Sequence, residues 1–398
     1  MTHSYLPHLP HKFILTPQSF PSTDGMHYND ERGANQVREA MKAQGFFASE
    51  DAAYWKPFGG TMGIPKVTTV GGRRSSSTSM YLKPALENNS NIQLWTETTV
   101  TKIELDKSNV KAIGLNIKRN GEEEKIVLTK DGLVVVSGGG VKTPQLLLES
   151  GIGPGLKVPN DAVGIGLTDK TISWVKYNVK GVEKYNIDPP SKEDQDLFVK
   201  EGKGPLTQFG PLLVGMIDID PEVTNDPDKK GKNVVEFFVP AAKDDDIVGV
   251  YFVHLTPKKG NGVGAVISIR EDGVVRTDNW GDQWDGDYGT KSTNAAIDVV
   301  TKAMENMGYT SAPGGEPWLH PMNHPGGTCG LDTCIDSRTL LVKGLENVAV
   351  CDNSIVPEQA IVHTAFSLMA MALRGADILK DFWEVEVVSI LEEQKDEL

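Results

Sequence analysis

The chain has 398 residues, 39% of them apolar and 24% charged, and its 54 acidic against 40 basic side chains give a net charge of −14. That length suits two ordinary domains or one large one with a sizeable core. The charge excludes nucleic acid or an anionic membrane as the main partner, because either needs a basic face; a small neutral substrate fits better. No apolar run reaches the about 18 residues that a membrane span requires.

The first 35 or so residues are rich in Pro, His and Ser and read as irregular, with His3, His8 and His11 on the surface. The stretch lacks the basic start and apolar core of a signal peptide. A helix is predicted over Gly33 to Gly45, stopped by Gly45. The Gly, Ser and Thr content of Thr61 to Ser79 predicts a loop, leading into a short helix over Ser79 to Leu86. Four β-rich runs follow: Ile92–Trp95, Val100–Leu105, Ala112–Ile117 and Lys125–Leu128. Asn120-Gly121 marks a hairpin, since both residues tolerate positive φ. Leu133–Ser137 has no polar alternation, as in a central strand covered on both faces. Thr143 is a cap for the next helix, Pro144 suits its first turn and Gly151 its end.

From about Val158 to Pro317, strand-like runs alternate with charged loops, the pattern of an antiparallel sheet. They are Ser173–Tyr177, Val234–Val239, Val248–His254 and Gly264–Arg270. Gly260-Asn-Gly-Val-Gly264 precedes no helix, so it reads as a turn and not as a phosphate loop. Asp282–Asp287 lacks the alternating oxygen ligands and closing Glu of a calcium loop and reads as a solvated turn. Lys229–Lys232 and Asp244–Asp246 read as exposed loop charge. A helix over Ser292 to Met307 then leads to the most informative stretch.

That stretch runs from Trp318 to Leu379. It places His324 in a glycine-rich loop, a short apolar strand at Asn347–Cys351, and His363 at the start of a long apolar helix. Two imidazoles presented this way are a candidate acid/base pair, whereas His320 reads as structural. The three cysteines, Cys329, Cys334 and Cys351, lack the paired spacing of a zinc site. They read as buried free thiols, with a Cys329–Cys334 disulfide as the alternative.

His324-Pro-Gly-Gly-Thr-Cys329, Ile335–Gly344 and Val348–Ser354, with Pro357 and His363, resemble the C-terminal signature of the glucose-methanol-choline (GMC) family of FAD-dependent oxidoreductases. Ser137–Gly153 resembles the family's other signature, and Pro21–Gly25 and Gly71–Arg74 are similar to segments of cellobiose dehydrogenase flavin domains. The resemblance implies an α/β (α+β) fold with an FAD-binding domain and an antiparallel-sheet substrate domain. In that scheme residues 1–66 are an irregular segment with one helix, 67–157 an FAD-domain segment and 158–317 the substrate domain. Residues 318–382 return to the FAD domain, and 383–398 are an acidic tail.

The chemistry implied is oxidation of a CH–OH group in an alcohol or sugar, with FAD as cofactor and an unspecified electron acceptor. An alcohol C–H gives up hydride to flavin N5 only as its O–H proton leaves, so a neutral imidazole must take that proton; the resemblance gives this role to His324. His363 would hydrogen-bond the same oxygen, its helix start favouring the neutral ring. Val100, Asp352, Asn353 and Ala365 fall where the family contacts FAD. His363 stands where cellobiose dehydrogenases tend to carry Asn, and Gly330-Leu331 where a Met-Gly pair is common, which moves the reading away from cellobiose.

The strand, Gly-x-Gly-x-x-Gly turn and helix that would hold the FAD pyrophosphate do not occur, so the FAD domain reads as N-terminally incomplete. Lys395-Asp-Glu-Leu398 reads as an endoplasmic reticulum retrieval address and Asn88-Asn-Ser90 as a glycosylation sequon. A shortened form of a longer secretory-pathway protein would account for these features together. Two alternatives accompany this reading: a hydroxynitrile lyase of the same fold, and an inactive remnant that binds no cofactor. A serine hydrolase is disfavoured, because no Gly-x-Ser-x-Gly occurs.

Overall fold

The computed structural model describes residues 33–49, 60–65, 67–185, 189–207, 211–220, 223, 233–356 and 364–396. The chain divides into two compact units, Met1–Leu94 with Ser173–Phe252 and Ser292–Trp318, and Trp95–Ile172 with Val253–Lys291 and Leu319–Leu398. The first unit is framed by a sheet of seven described strands in the order Phe47–Ser49, Thr61–Gly63, Leu213–Asp218, Val234–Val239, Ile247–His254, Thr171–Asn178, Thr310–Pro321. Val234–Val239 is almost wholly buried, Glu236 included, in keeping with its place in the middle of the sheet. Gly215 lies opposite Phe237, and a Cβ there would stand 2.3 Å from the ring; the missing side chain makes room for the aromatic. The helix Ala34–Ala43 buries Ala34, Val37, Ala40 and Met41, one face of a 3.6-residue period, and Gly45 ends it with φ 85°.

The second unit contains the antiparallel meander Thr98–Leu105, Ala112–Arg119, Glu122–Val127. Its hairpin turns through Asn120 and Gly121 at φ 51° and 91°. Beside it, Val134–Val136 pairs in parallel with Val348–Val350, and the helix Gly139–Glu149 follows the first of these strands. Asn347 ties the elements together: its side chain accepts from Ala112 N–H and donates to the carbonyls of Ala112 and Gly132. Among the described residues no helix is long and apolar enough to cross a membrane.

Several sequence expectations are corrected. Ile92–Trp95 is not a strand but an exposed coil; no partner strand takes it up among the described residues. Thr61–Gly63, expected as loop, is a strand of the large sheet, paired with Val214–Met216. Val135 is 45% exposed, so its strand is not covered on both faces. The helix expected to start at Thr143 begins a turn earlier, at Gly139, and Thr143 lies inside it. The helix expected from Ser292 starts at Gly286, with Tyr288 N–H capped by Asp285. Cys329 and Cys334 are not free thiols but a disulfide. Gly260–Gly262 is a 3-10 turn that runs into the strand Ala265–Ile269, as a non-phosphate loop would.

Candidate active site

A parallel strand pair sends both chains out at the same edge, where open α/β sheets place ligands. Val136 is followed by Ser137-Gly138-Gly139-Gly140, and Val350 by Cys351-Asp352-Asn353-Ser354. The two exits are sewn together. Ser137 Oγ donates to the Cys351 carbonyl at 2.9 Å and Cys351 N–H to Val136 at 3.0 Å. The Asp352 carboxylate accepts from Gly139 N–H at 2.8 Å, from the Thr143 hydroxyl and from Ser354 N–H at 2.7 Å. A carboxylate facing the first amides of the helix Gly139–Glu149 is stabilised there by the exposed N–H groups.

The loop carrying His324 is laid across these exits. Thr328 Oγ1 donates to Gly140 O at 2.7 Å, Gly327 N–H to Asn353 O at 3.2 Å and Cys329 N–H to Ser354 O at 2.8 Å. Gly140 is needed for this approach, since a Cβ there would lie 2.3 Å from Pro325 O. Asn353 Nδ2 donates to the Pro325 carbonyl at 2.7 Å and to the His324 carbonyl at 3.3 Å. On the other side, His324 N–H donates to Asp169 Oδ1 at 2.8 Å and Asn323 N–H to Asp169 Oδ2 at 2.9 Å, with Asn323 at φ 63°. Residue 324 is therefore held through its amide and its carbonyl at once, while its side chain is half-buried. The disulfide closes the loop five residues further on.

Burial pushes the Asp169 carboxyl above its ordinary range, and the backbone donors of His324, Lys170 and Asn323 pull the other way. Burial, then the Asp352 charge, raises Cys351 and keeps it a protonated thiol.

Of the residues singled out from the sequence, His324, Asp352 and Asn353 come together here. Val100 belongs to another element, half-buried in the strand Thr98–Leu105 opposite Ile117. Ala365 is exposed in the first turn of the helix Thr364–Asp396. His363 lies outside the described residues, directly before that helix. Asp169, Thr143 and Thr328 as partners of this loop escaped the sequence reading. Their contacts are with backbone groups or across long separations, and no spacing rule announces them.

Two family models match the chain, both described as GMC oxidoreductase, over residues 25–172 and 292–372. The chain belongs to the GMC oxidoreductase family. The oxygen-dependent choline dehydrogenase of Staphylococcus saprophyticus is 24% identical over 358 residues, covering 78% of this chain and 60% of that protein. The chain thus spans about 60% of the length of these curated relatives. Among solved structures, an FAD-dependent oxidoreductase from Chaetomium thermophilum superposes with a TM-score of 0.70 at 16% identity, over 89% of this chain and 72% of that one. A formate oxidase variant from Aspergillus oryzae gives 0.71 at 18% identity, over 90% and 72%. These likenesses establish the GMC fold.

Proposed function

We propose that this GMC chain serves an FAD-dependent oxidoreductase of CH–OH groups, in which His324 takes the hydroxyl proton of an alcohol or sugar. The observation that carries the reading is the two-sided grip on residue 324 at the exit edge of the parallel strands. FAD, when bound, supplies the hydride acceptor. The residues present fit such a group. Asn353 Oδ1 and Ser354 Oγ are buried and have no hydrogen-bond partner among the described residues; the amide oxygen would accept from a flavin ring N–H or ribityl hydroxyl, and the serine hydroxyl would accept or donate. The two carbonyls on Asn353 Nδ2 decide which end of that amide is which. Asn353 and Ser354 would hold the cofactor at this end, and the family pattern adds Val100, Asp352 and Ala365.

The work of this chain's own groups is then positional and protolytic. His324 receives the hydroxyl proton, and His363 hydrogen-bonds the same oxygen. The choline dehydrogenase relatives support a small alcohol over a large saccharide as the first substrate class to try.

The test is the visible spectrum and thermal stability of the purified chain with and without FAD, followed by anaerobic addition of an alcohol and sugar panel that includes choline. Flavin bands, stabilisation by FAD and bleaching by one panel member are expected. His324→Ala should bind FAD and slow bleaching by about 10²-fold or more. A coloured protein that no panel member bleaches, or a colourless one that FAD does not stabilise, would overturn the reading. The disulfide and the exposed sequon at Asn88 support residence in an oxidising, secretory compartment, which endoglycosidase sensitivity of the native protein tests.

A further inference from the structure

We infer that Asp169 is the positioning residue of the His324 imidazole. The inference rests on the proton-accepting role proposed for His324. Asp169 is buried, 1% exposed, and it turns both oxygens to peptide groups. Oδ1 accepts from His324 N–H and from Lys170 N–H at 2.7 Å, and Oδ2 accepts from Asn323 N–H. A carboxylate is the side chain suited to this. It offers acceptors in two directions and no donor, so two successive amides can converge on it only if the intervening backbone turns. That turn is present: Asn323 takes the left-handed conformation, φ 63°, which Asn tolerates better than most residues.

The segment that bears Asp169 is itself anchored. Thr168 exchanges both backbone hydrogen bonds with Gly326, at 3.1 and 3.0 Å, and Met322 N–H reaches Lys170 O at 2.8 Å. The loop is therefore bracketed at residues 322 and 326 by backbone pairing, and of the three residues between those brackets Asp169 holds Asn323 and His324. A neutral carboxamide cannot do the same, because one of its two ends is a donor and would face an N–H.

Two readouts on the full chain, Asp169→Asn against wild type, test this. Amide hydrogen exchange should quicken at least about 10-fold at Asn323 and His324, the gain expected for loss of a hydrogen bond worth ~1.4 kcal/mol, and stay unchanged at Thr168 and Gly326. In the FAD-loaded protein the limiting rate of flavin reduction should fall about 10²-fold, as for a misplacement of about 1 Å, with KM changed less than about 3-fold. Unchanged exchange at Asn323 and His324 would overturn the inference. So would loss of protection at all four amides, which would make the carboxylate a general support of the fold. Should Asp169→Asn not fold, Asp169→Glu, which retains the charge but displaces it by one methylene, must give the same exchange pattern; failure of both variants to fold counts as overturning. If wild-type flavin is reduced by no alcohol, the functional reading fails while the exchange pattern still decides the role of Asp169 in holding residue 324.

Discussion

An alanine at position 140 is the sharpest probe of how the His324 loop is held. The added Cβ would stand 2.3 Å from Pro325 O, 2.7 Å from its carbonyl carbon and 2.9 Å from Gly326 N, whereas ordinary contact begins at 3.4 Å. All three atoms are backbone, so no rotamer change relieves the clash, and the two segments must part by about 1.1 Å. Gly140 lies in the first turn of a helix whose amides are pinned by Asp352, so the loop is the side that gives. Overpacking of this kind costs about 1–3 kcal/mol. A shift of about 1 Å in a proton acceptor lowers turnover by roughly 10²-fold. Urea unfolding of Gly140→Ala and stopped-flow flavin reduction measure the two effects. The control is Gly286→Ala, also at a helix start but with nothing within 4 Å of the new Cβ, which should change stability by less than about 0.5 kcal/mol. If Gly140→Ala matches this control in both midpoint and reduction rate, the close approach of helix and loop does not constrain His324.

Asn347→Ala removes three buried side-chain hydrogen bonds and should lower the unfolding free energy by about 3 kcal/mol at ~1 kcal/mol each; a loss under about 1 kcal/mol in urea titration would refute the tie. Replacing Cys329 and Cys334 together by Ala opens a short loop and should cost about 2 kcal/mol, measured by the same titration against the oxidised parent; an unchanged midpoint would show that the cross-link adds nothing. Tyr177 is buried, and burial first, with the Glu305 and Asp298 charges behind it, pushes its phenol up to about 12 against the opposing hydrogen bond from Thr301. The folded protein thus holds this proton more tightly than the unfolded chain. The contribution is full below about pH 10 and disappears as pH rises toward 12, a change of about 2.7 kcal/mol. Tyr177→Phe should flatten that part of the stability profile, and identical slopes between pH 10 and 12 in both proteins would refute the assignment.

The elements legible in the sequence are those whose signal is local. The spacing of Ala34, Val37, Ala40 and Met41, the Asn120-Gly121 turn and the β-rich run at Val234–Val239 each state their geometry within a few residues. What escaped depends on distant partners. Thr61–Gly63 becomes a strand because Val214–Met216 lies beside it and Gly60 N–H finds Met216 O at 2.9 Å, and nothing in its composition says so. Ile92–Trp95 has β-forming residues but joins no strand among the described residues, and the Arg119 guanidinium covers Trp95 instead, 4.8 Å from the ring centre. Thr143 suggests a helix cap, yet Asp352 takes the Gly139 amide and the helix starts there.

The same division runs through the candidate site. His324 stands out in a sequence because imidazole is the side chain that titrates near neutrality, and any search for chemistry finds it. Asp169, Asp352 and Asn353 act on peptide groups, and a peptide group has no residue type to be matched by spacing. Asp169 and Asn353 meet the His324 segment from two different stretches of chain, Asp352 fixes the neighbouring helix start, and each uses a short side chain with few rotamers to lose. A proton acceptor must sit within hydrogen-bond reach of its substrate to be useful, and the paired glycines that follow Pro325 give the loop little intrinsic stiffness to keep it there. The clamp of acidic and amide side chains supplies that stiffness. On the function proposed above, its members would serve the site by holding His324 in place, without having to touch the reacting atoms.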